Sequence, residues 1–162
     1  MTSVKTIETK LNDLFKGLPS MPENGKEALA KAWPWIALIF GVLQLLAAWS
    51  LWRLTSYVDR LNTTLVALYT ATSPLSAFDK MVIYAGVVAL LVEGVILLMA
   101  YPHLKTRSSK GWNLLFLGSL VNVAYAVVQI FISQRGFGGF LFSLLGSAVG
   151  FYLLFQVKSK YK

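Results

Sequence analysis

The chain has 162 residues, no cysteine, 56% hydrophobic and 14% charged residues, and a formal net charge of +8. Soluble domains run about 45–50% apolar and about 25% charged, so the composition lies outside the soluble range. The missing cysteine excludes thiol catalysis, disulfides and thiolate-bound zinc, and the basic residues flank apolar runs, which points to anionic lipid headgroups rather than nucleic acid.

Residues 1–32 read as an N-terminal cytoplasmic segment. Val4, Ile7, Leu11, Leu14, Phe15 and Leu18 fall on one helical face, with charges on the other. That pattern predicts an amphipathic helix, lying either on the lipid surface or against protein. Gly17, Pro19, Pro22 and Gly25 mark a linker, and a second short helix is expected from Lys26 into Trp33. A signal peptide needs a basic stretch followed at once by an apolar run. Here lysines and acids alternate up to Lys31, so the first apolar helix is expected to stay as an anchor.

Residues 33–162 then carry four stretches of the roughly 20 apolar residues needed to cross a bilayer. They are 34–54, 81–101, 112–133 and 137–157. Pro34 suits a first helical turn. Tyr57, Leu61, Leu65 and Leu68 keep helical spacing beyond the first span, so that helix either continues towards Ser73 and Pro74 or gives way to a separate amphipathic piece. Ser76 and Asp79 form a candidate capping box for the second span, and Pro102 is placed to end it. Gly136, Gly138 and Gly139 predict a tight antiparallel hairpin between the last two spans. The expected fold class is all-α: a polytopic membrane protein, a four-transmembrane-helix bundle with an N-terminal amphipathic helix.

Lys and Arg counts orient it. The N-terminal segment, the 105–110 loop and the 158–162 tail hold eleven of these residues, against Arg53, Arg60, Lys80 and Arg135 on the other side. Both ends are therefore expected in the cytoplasm, with the chain multi-pass in a plasma (inner) membrane. Lys105, Arg107, Lys110, Lys158 and Lys160 are candidate contacts for anionic headgroups.

Each span carries a small and polar stripe at three- and four-residue steps. The first has Ala37, Gly41, Gln44 and Ala48; the second has Gly86, Ala89, Glu93 and Ala100. The third has Gly118, Ser119, Asn122, Tyr125, Ala126 and Gln129; the fourth has Gly139, Ser143, Gly146, Ser147 and Gly150. Small residues let helices approach closely in lipid, so the stripes should face inward. Gln44, Glu93, Asn122 and Ser147 lie near mid-span and form a candidate intramembrane polar cluster. Glu93 is the one acid within a span, and an ionised carboxylate at mid-membrane costs about 2.5–3.5 kcal/mol. No Lys or Arg matches its depth, so a neutral acid that both donates and accepts hydrogen bonds is the expected form. It then serves either as interhelical glue to Gln44 and Asn122 or as a proton- or cation-binding carboxyl on a transport path.

Other chemistry has little support. His103 has no second ligand beside it, so no metal is expected, and no histidine is placed to activate a serine. No catalytic residue and no cofactor is predicted. The Trp33-Pro34-Trp35 opening, the run Gly111-Trp112-Asn113-Leu114-Leu115-Phe116 and the run Leu153-Leu154-Phe155-Gln156-Val157-Lys158 resemble small four-span bacterial membrane proteins. The likeness covers residues 33 to 162, implies the fold, and brings no activity or site residues with it. Small multidrug transporters share the four-span size. They carry their essential Glu in the first helix, whereas Glu93 is in the second span and a 32-residue extension precedes the first. The leading expectation is a non-enzymatic accessory or assembly component that meets a membrane-protein partner or a second copy. The alternative is a small proton-coupled transporter or channel using Glu93. An enzyme acting on lipid ranks third, since no acid–base pair is placed at the interface.

Overall fold

A computed structural model of the chain describes residues 2–69, 77–132 and 137–162. These residues form five α-helices: α1 (Thr2–Phe15), α2 (Glu23–Tyr69), α3 (Ala77–Lys105), α4 (Ser109–Ile132) and α5 (Phe137–Gln156). A 3-10 turn, Lys158–Lys160, follows α5. Among the described residues, two helical stretches are long and apolar enough to cross a membrane, Glu23–Leu61 and Lys80–Lys105, with mean hydropathies of 1.8 and 2.5.

The helix boundaries correct several expectations. The short helix expected to stop at Trp33 does not end there. It runs on as α2 for 47 residues, so Pro34 lies in a helix interior rather than a first turn. An interior proline cannot donate to the carbonyl four residues back, here that of Ala30. Tyr161 supplies the missing donor, its hydroxyl bonding the Ala30 oxygen at 3.2 Å in a buried position. Beyond the first span α2 continues to Tyr69, the outcome the helical spacing of 57–68 allowed. Pro102 does not end α3, which continues to Lys105. Ser76 of the capping box and Gly136 of the hairpin lie outside the described residues, while Gly138 and Gly139 belong to α5 rather than to a loop.

Packing begins with α2 against α3. Gly41 and Gly94 bring the two backbones together: a Cβ on either would lie 3.2 Å from the other's carbonyl oxygen. The α3–α4 corner closes on Gly111, where a Cβ would come within 2.7 Å of the Leu104 nitrogen. α4 then carries α5. The main core sits at the end where α2, α4 and the chain's tail meet: Ala30, Ala37, Ala100, Leu104, Trp112, Leu115, Phe116, Phe151, Leu154, Val157 and Tyr161. Trp112 stacks on Phe116 with ring centres 5.4 Å apart, and Phe151 and Phe155 meet Phe116 edge-on. The Trp112 indole N–H bonds the Leu154 carbonyl at 2.9 Å, one of the last-turn oxygens a helix leaves unpaired.

α1 splits its apolar face. Leu11 and Phe15 pack against the core, Phe15 meeting Tyr152 and Phe155 of α5. Ile7, Leu14 and Leu18 remain 42%, 73% and 48% exposed. The linker is tied down by Tyr152, whose hydroxyl bonds the Pro19 carbonyl at 2.6 Å, and by Gln156, whose Oε1 accepts from the Met21 amide at 3.0 Å.

Candidate functional site

The candidate site lies between α2 and α5, and the core residues Ala37, Leu115, Phe151 and Leu154 form part of its lining. α2 contributes Trp33, Ala37, Phe40 and Gln44, and α3 contributes Glu93 and Leu97. α4 adds Leu115, Ser119 and Asn122, and α5 adds Gly146, Ser147, Gly150, Phe151 and Leu154. Together they line a half-open cavity of about 550 Å³, within the roughly 300–1,000 Å³ of small-molecule sites. Gln44, Glu93, Asn122 and Ser147, placed together from the sequence by depth alone, all line it.

The geometry inside is specific. The Asn122 amide donates to Glu93 Oε2 at 3.3 Å, joining α4 to α3. The Ser119 hydroxyl donates to the Leu115 carbonyl in its own helix at 3.0 Å, so towards the cavity it offers lone pairs. Gln44 Oε1 is buried and accepts no hydrogen bond, and the Trp33 indole N–H is buried and donates none. A buried polar group left unbonded costs about 1–3 kcal/mol. Among the described residues, then, the expected Glu93–Gln44 bridge is absent, and Glu93 pairs with Asn122 alone. Trp33 also lines the cavity. The orphaned indole and the open space at Gly146 and Gly150 depend on helix placement, so periodicity could not have revealed them.

The basic candidates form a second constellation at the core end. Arg107 bonds both oxygens of Glu27. Lys160 reaches Glu23 at 2.7 Å and Glu27 at 4.0 Å. Lys158 pairs with Glu8 of α1 and stands 4.9 Å from the centre of the Trp112 ring. Three of the five proposed headgroup contacts are thus engaged in ion pairs, while Lys105 and Lys110 are exposed without an ion-pair partner among the described residues. Arg107 adopts a left-handed backbone, φ 54°, held on both sides by the tail. Its carbonyl accepts from the Lys162 amide at 3.0 Å, and the Lys162 carbonyl accepts from the Ser109 amide at 2.9 Å.

These contacts set the local electrostatics. Hydrogen bonds from Lys160 and then Lys26 hold Glu23, at the polar start of α2 before the apolar run from Trp33, at about 2 instead of 4.5. The Arg107 hydrogen bonds keep Glu27 below its ordinary value and raise Arg107 in return. Burial pushes Tyr161 up to about 12, so its hydroxyl keeps the proton it gives to Ala30. No cluster of three or more His, Cys, Asp or Glu suited to a metal occurs among the described residues. No family model, curated protein or solved structure matches this chain.

Proposed function

We propose that this chain is a four-span integral membrane protein with both ends in the cytoplasm, and that it acts as a small transporter or channel through the Glu93 cavity. One observation carries the reading: four polar side chains from four helices converge on a cavity in which a buried acceptor and a buried donor both lack partners. Buried polar groups are rarely left unbonded in folded proteins, and a cavity beside two of them supports a role beyond packing. The spans themselves draw support from length. α4 and α5 have 24 and 20 residues, about 36 and 30 Å at 1.5 Å per residue, which matches a hydrocarbon core of about 30 Å. Large apolar side chains line the outside, among them Ile39, Leu43 and Leu46 on α2, Val88, Val95 and Met99 on α3, and Leu145 and Val149 on α5. Lipid solvates such a surface where water does not. The excess of basic residues beside the termini sets the orientation in a plasma membrane.

The chain has no cysteine, which makes thiol labelling a direct test. In right-side-out and inverted membrane vesicles, Ser147→Cys should react with a charged, membrane-impermeant maleimide from at least one side. Leu145→Cys, on the outward face, should stay unlabelled. A Ser147→Cys that resists the reagent from both sides means a dry core, and the transporter reading fails.

The accessory-component reading draws on a different observation, the docking of α1 with Ile7, Leu14 and Leu18 still exposed. Deleting residues 1 to 20 should leave cavity labelling intact under the first reading. Under the second it should abolish co-purification of a membrane partner.

A further inference from the structure

A second cavity opens between α2 and α3 at the core end, and its reading rests on the placement of those two helices across a bilayer proposed above. It is half-open and holds about 340 Å³. Lys31 and Trp35 of α2, Tyr101 and Lys105 of α3, and Arg107 of the α3–α4 corner line it. Ala30 and Leu104, each 1% exposed, back it with apolar surface. No Asp or Glu belongs to the lining. Lys31 and Lys105 are exposed and form no ion pair among the described residues. Arg107 gives two of its five N–H donors to Glu27, and Lys160 stands 4.0 Å from the same carboxylate. With Glu27 counted, positive charge is still in excess.

The backbone acceptors nearby are taken. The Ala30 carbonyl bonds the Tyr161 hydroxyl. In the last turn of α3 the Pro102, His103 and Leu104 carbonyls accept from the Thr106, Ser108 and Arg107 amides, which mutes the negative end of that helix. The Trp35 indole N–H and the Tyr101 hydroxyl, which can donate or accept, make no hydrogen bond among the described residues. A cation would therefore meet three cationic side chains and no lining acid, whereas an anion meets donors. Position narrows the anion further. The Trp35 and Tyr101 rings meet edge-on at 5.9 Å, at the start of the first span and the end of the second, the headgroup level that such aromatics favour. The Trp35 face of α2 continues through Ile39, Val42 and Leu46 at three- and four-residue steps, and these are 55%, 44% and 58% exposed. A soluble anion uses the cationic rim alone. An anionic lipid uses the rim and the apolar strip together, and basic pockets between membrane helices on the cytoplasmic side suit such headgroups.

We propose that the cavity between α2 and α3 holds the phosphate of an anionic membrane phospholipid, bonded by Lys31, Lys105 and Arg107, with an acyl chain lying along Ile39, Val42 and Leu46.

The test uses the purified full chain in detergent, titrated with phosphatidylglycerol or phosphatidylcholine and followed by native mass spectrometry. The first phosphatidylglycerol should bind about tenfold more tightly than phosphatidylcholine, whose choline brings a positive charge to Lys31 and Lys105. Lys31→Gln and Lys105→Gln should each weaken phosphatidylglycerol about fivefold, and the double variant about 25-fold. Both lysines are exposed, so neither change disturbs the core. Lys110→Gln removes an equally exposed charge from the same loop but outside the lining, and should change affinity less than about twofold. A loss in Lys110→Gln equal to that in Lys105→Gln means diffuse surface attraction and overturns the site. Inorganic phosphate that displaces phosphatidylglycerol at equal concentration overturns the lipid as the source of the phosphate. Alkaline carbonate extraction of membranes separates the two levels of the reading. A chain released by carbonate overturns the membrane placement and this site with it. A chain that is retained, yet binds the two lipids equally, overturns the site alone.

Discussion

Two glycine stripes that look alike in sequence behave in opposite ways. At Gly41 and Gly94 the backbones of α2 and α3 touch, and a Cβ on Gly94 would also sit 3.0 Å from the Leu45 side chain. At Gly146 and Gly150 of α5 a Cβ would meet nothing within 4 Å. Glycine permits close approach in a helix pair but supplies little attraction of its own. What separates the two cases is bulk at the core end. Trp112, Phe116, Phe151 and Phe155 meet there and bind α5 to α4, and the small residues of α5 form a cavity wall rather than a seam. The comparison teaches that a small-residue stripe marks where helices can meet, and that the large residues beside it decide whether they do.

The largest effect should come from filling both kinds of glycine. Gly94→Leu strikes the Gly41 carbonyl and Leu45, and overpacking against a backbone should cost about 3 kcal/mol or more. Gly146→Leu should leave stability unchanged. Thermal unfolding followed by circular dichroism in detergent compares them, and equal melting temperatures would erase the distinction between seam and cavity.

A smaller effect isolates what holds the core end together. Tyr161→Phe leaves the Ala30 carbonyl, freed by Pro34, buried without a donor, and should cost about 1–2 kcal/mol. Pairing it with Pro34→Ala sharpens the result. Restoring the backbone N–H should recover most of the loss, and an unchanged loss in the double variant would mean that the Tyr161 hydroxyl does not act through the Ala30 carbonyl.

The smallest effect is electrostatic. Glu23 is held at about 2, below its ordinary 4.5. A depressed carboxylate contributes stability above the ordinary value and loses it as pH falls through the folded one. The tail's hold on α2 should therefore weaken between pH 4.5 and 2, and weaken further in high salt, because Glu23 is exposed. Hydrogen exchange at residues 158–162, corrected for the intrinsic rate, should rise over that window while the Gly41–Gly94 seam stays protected. Glu23→Gln should flatten the pH dependence of the tail, and a tail that keeps its pH profile in this variant would remove Glu23 from the latch.

Much of this was readable along the chain. The apolar lengths matched helices, and of the small residues in the stripes Ala37, Gly41, Gly86, Ala100 and Gly118 are buried while Gly146 is exposed. Gln44, Glu93, Asn122 and Ser147 line one cavity. Periodicity works for such features because a helix converts sequence spacing directly into a face and a height. The same rule misplaced Pro34 and Pro102, since a proline's cost depends on what else can satisfy the freed carbonyl. For Pro34 that partner is Tyr161, which lies 131 positions from the Ala30 carbonyl it bonds.

The sequence by itself thus determined an all-helical chain and the small and polar stripes along its helices. Only the tertiary structure decided that the α2 and α3 backbones close at Gly41 and Gly94, that Glu93 pairs with Asn122 rather than Gln44, and that Lys158 and Lys160 of the tail pair with Glu8 and Glu23 while Arg107 pairs with Glu27. The division follows from range. Helix formation and face selection depend on neighbours three or four residues apart, whereas a seam, a cavity or a latch depends on which bulky side chains from distant segments reach the same place first.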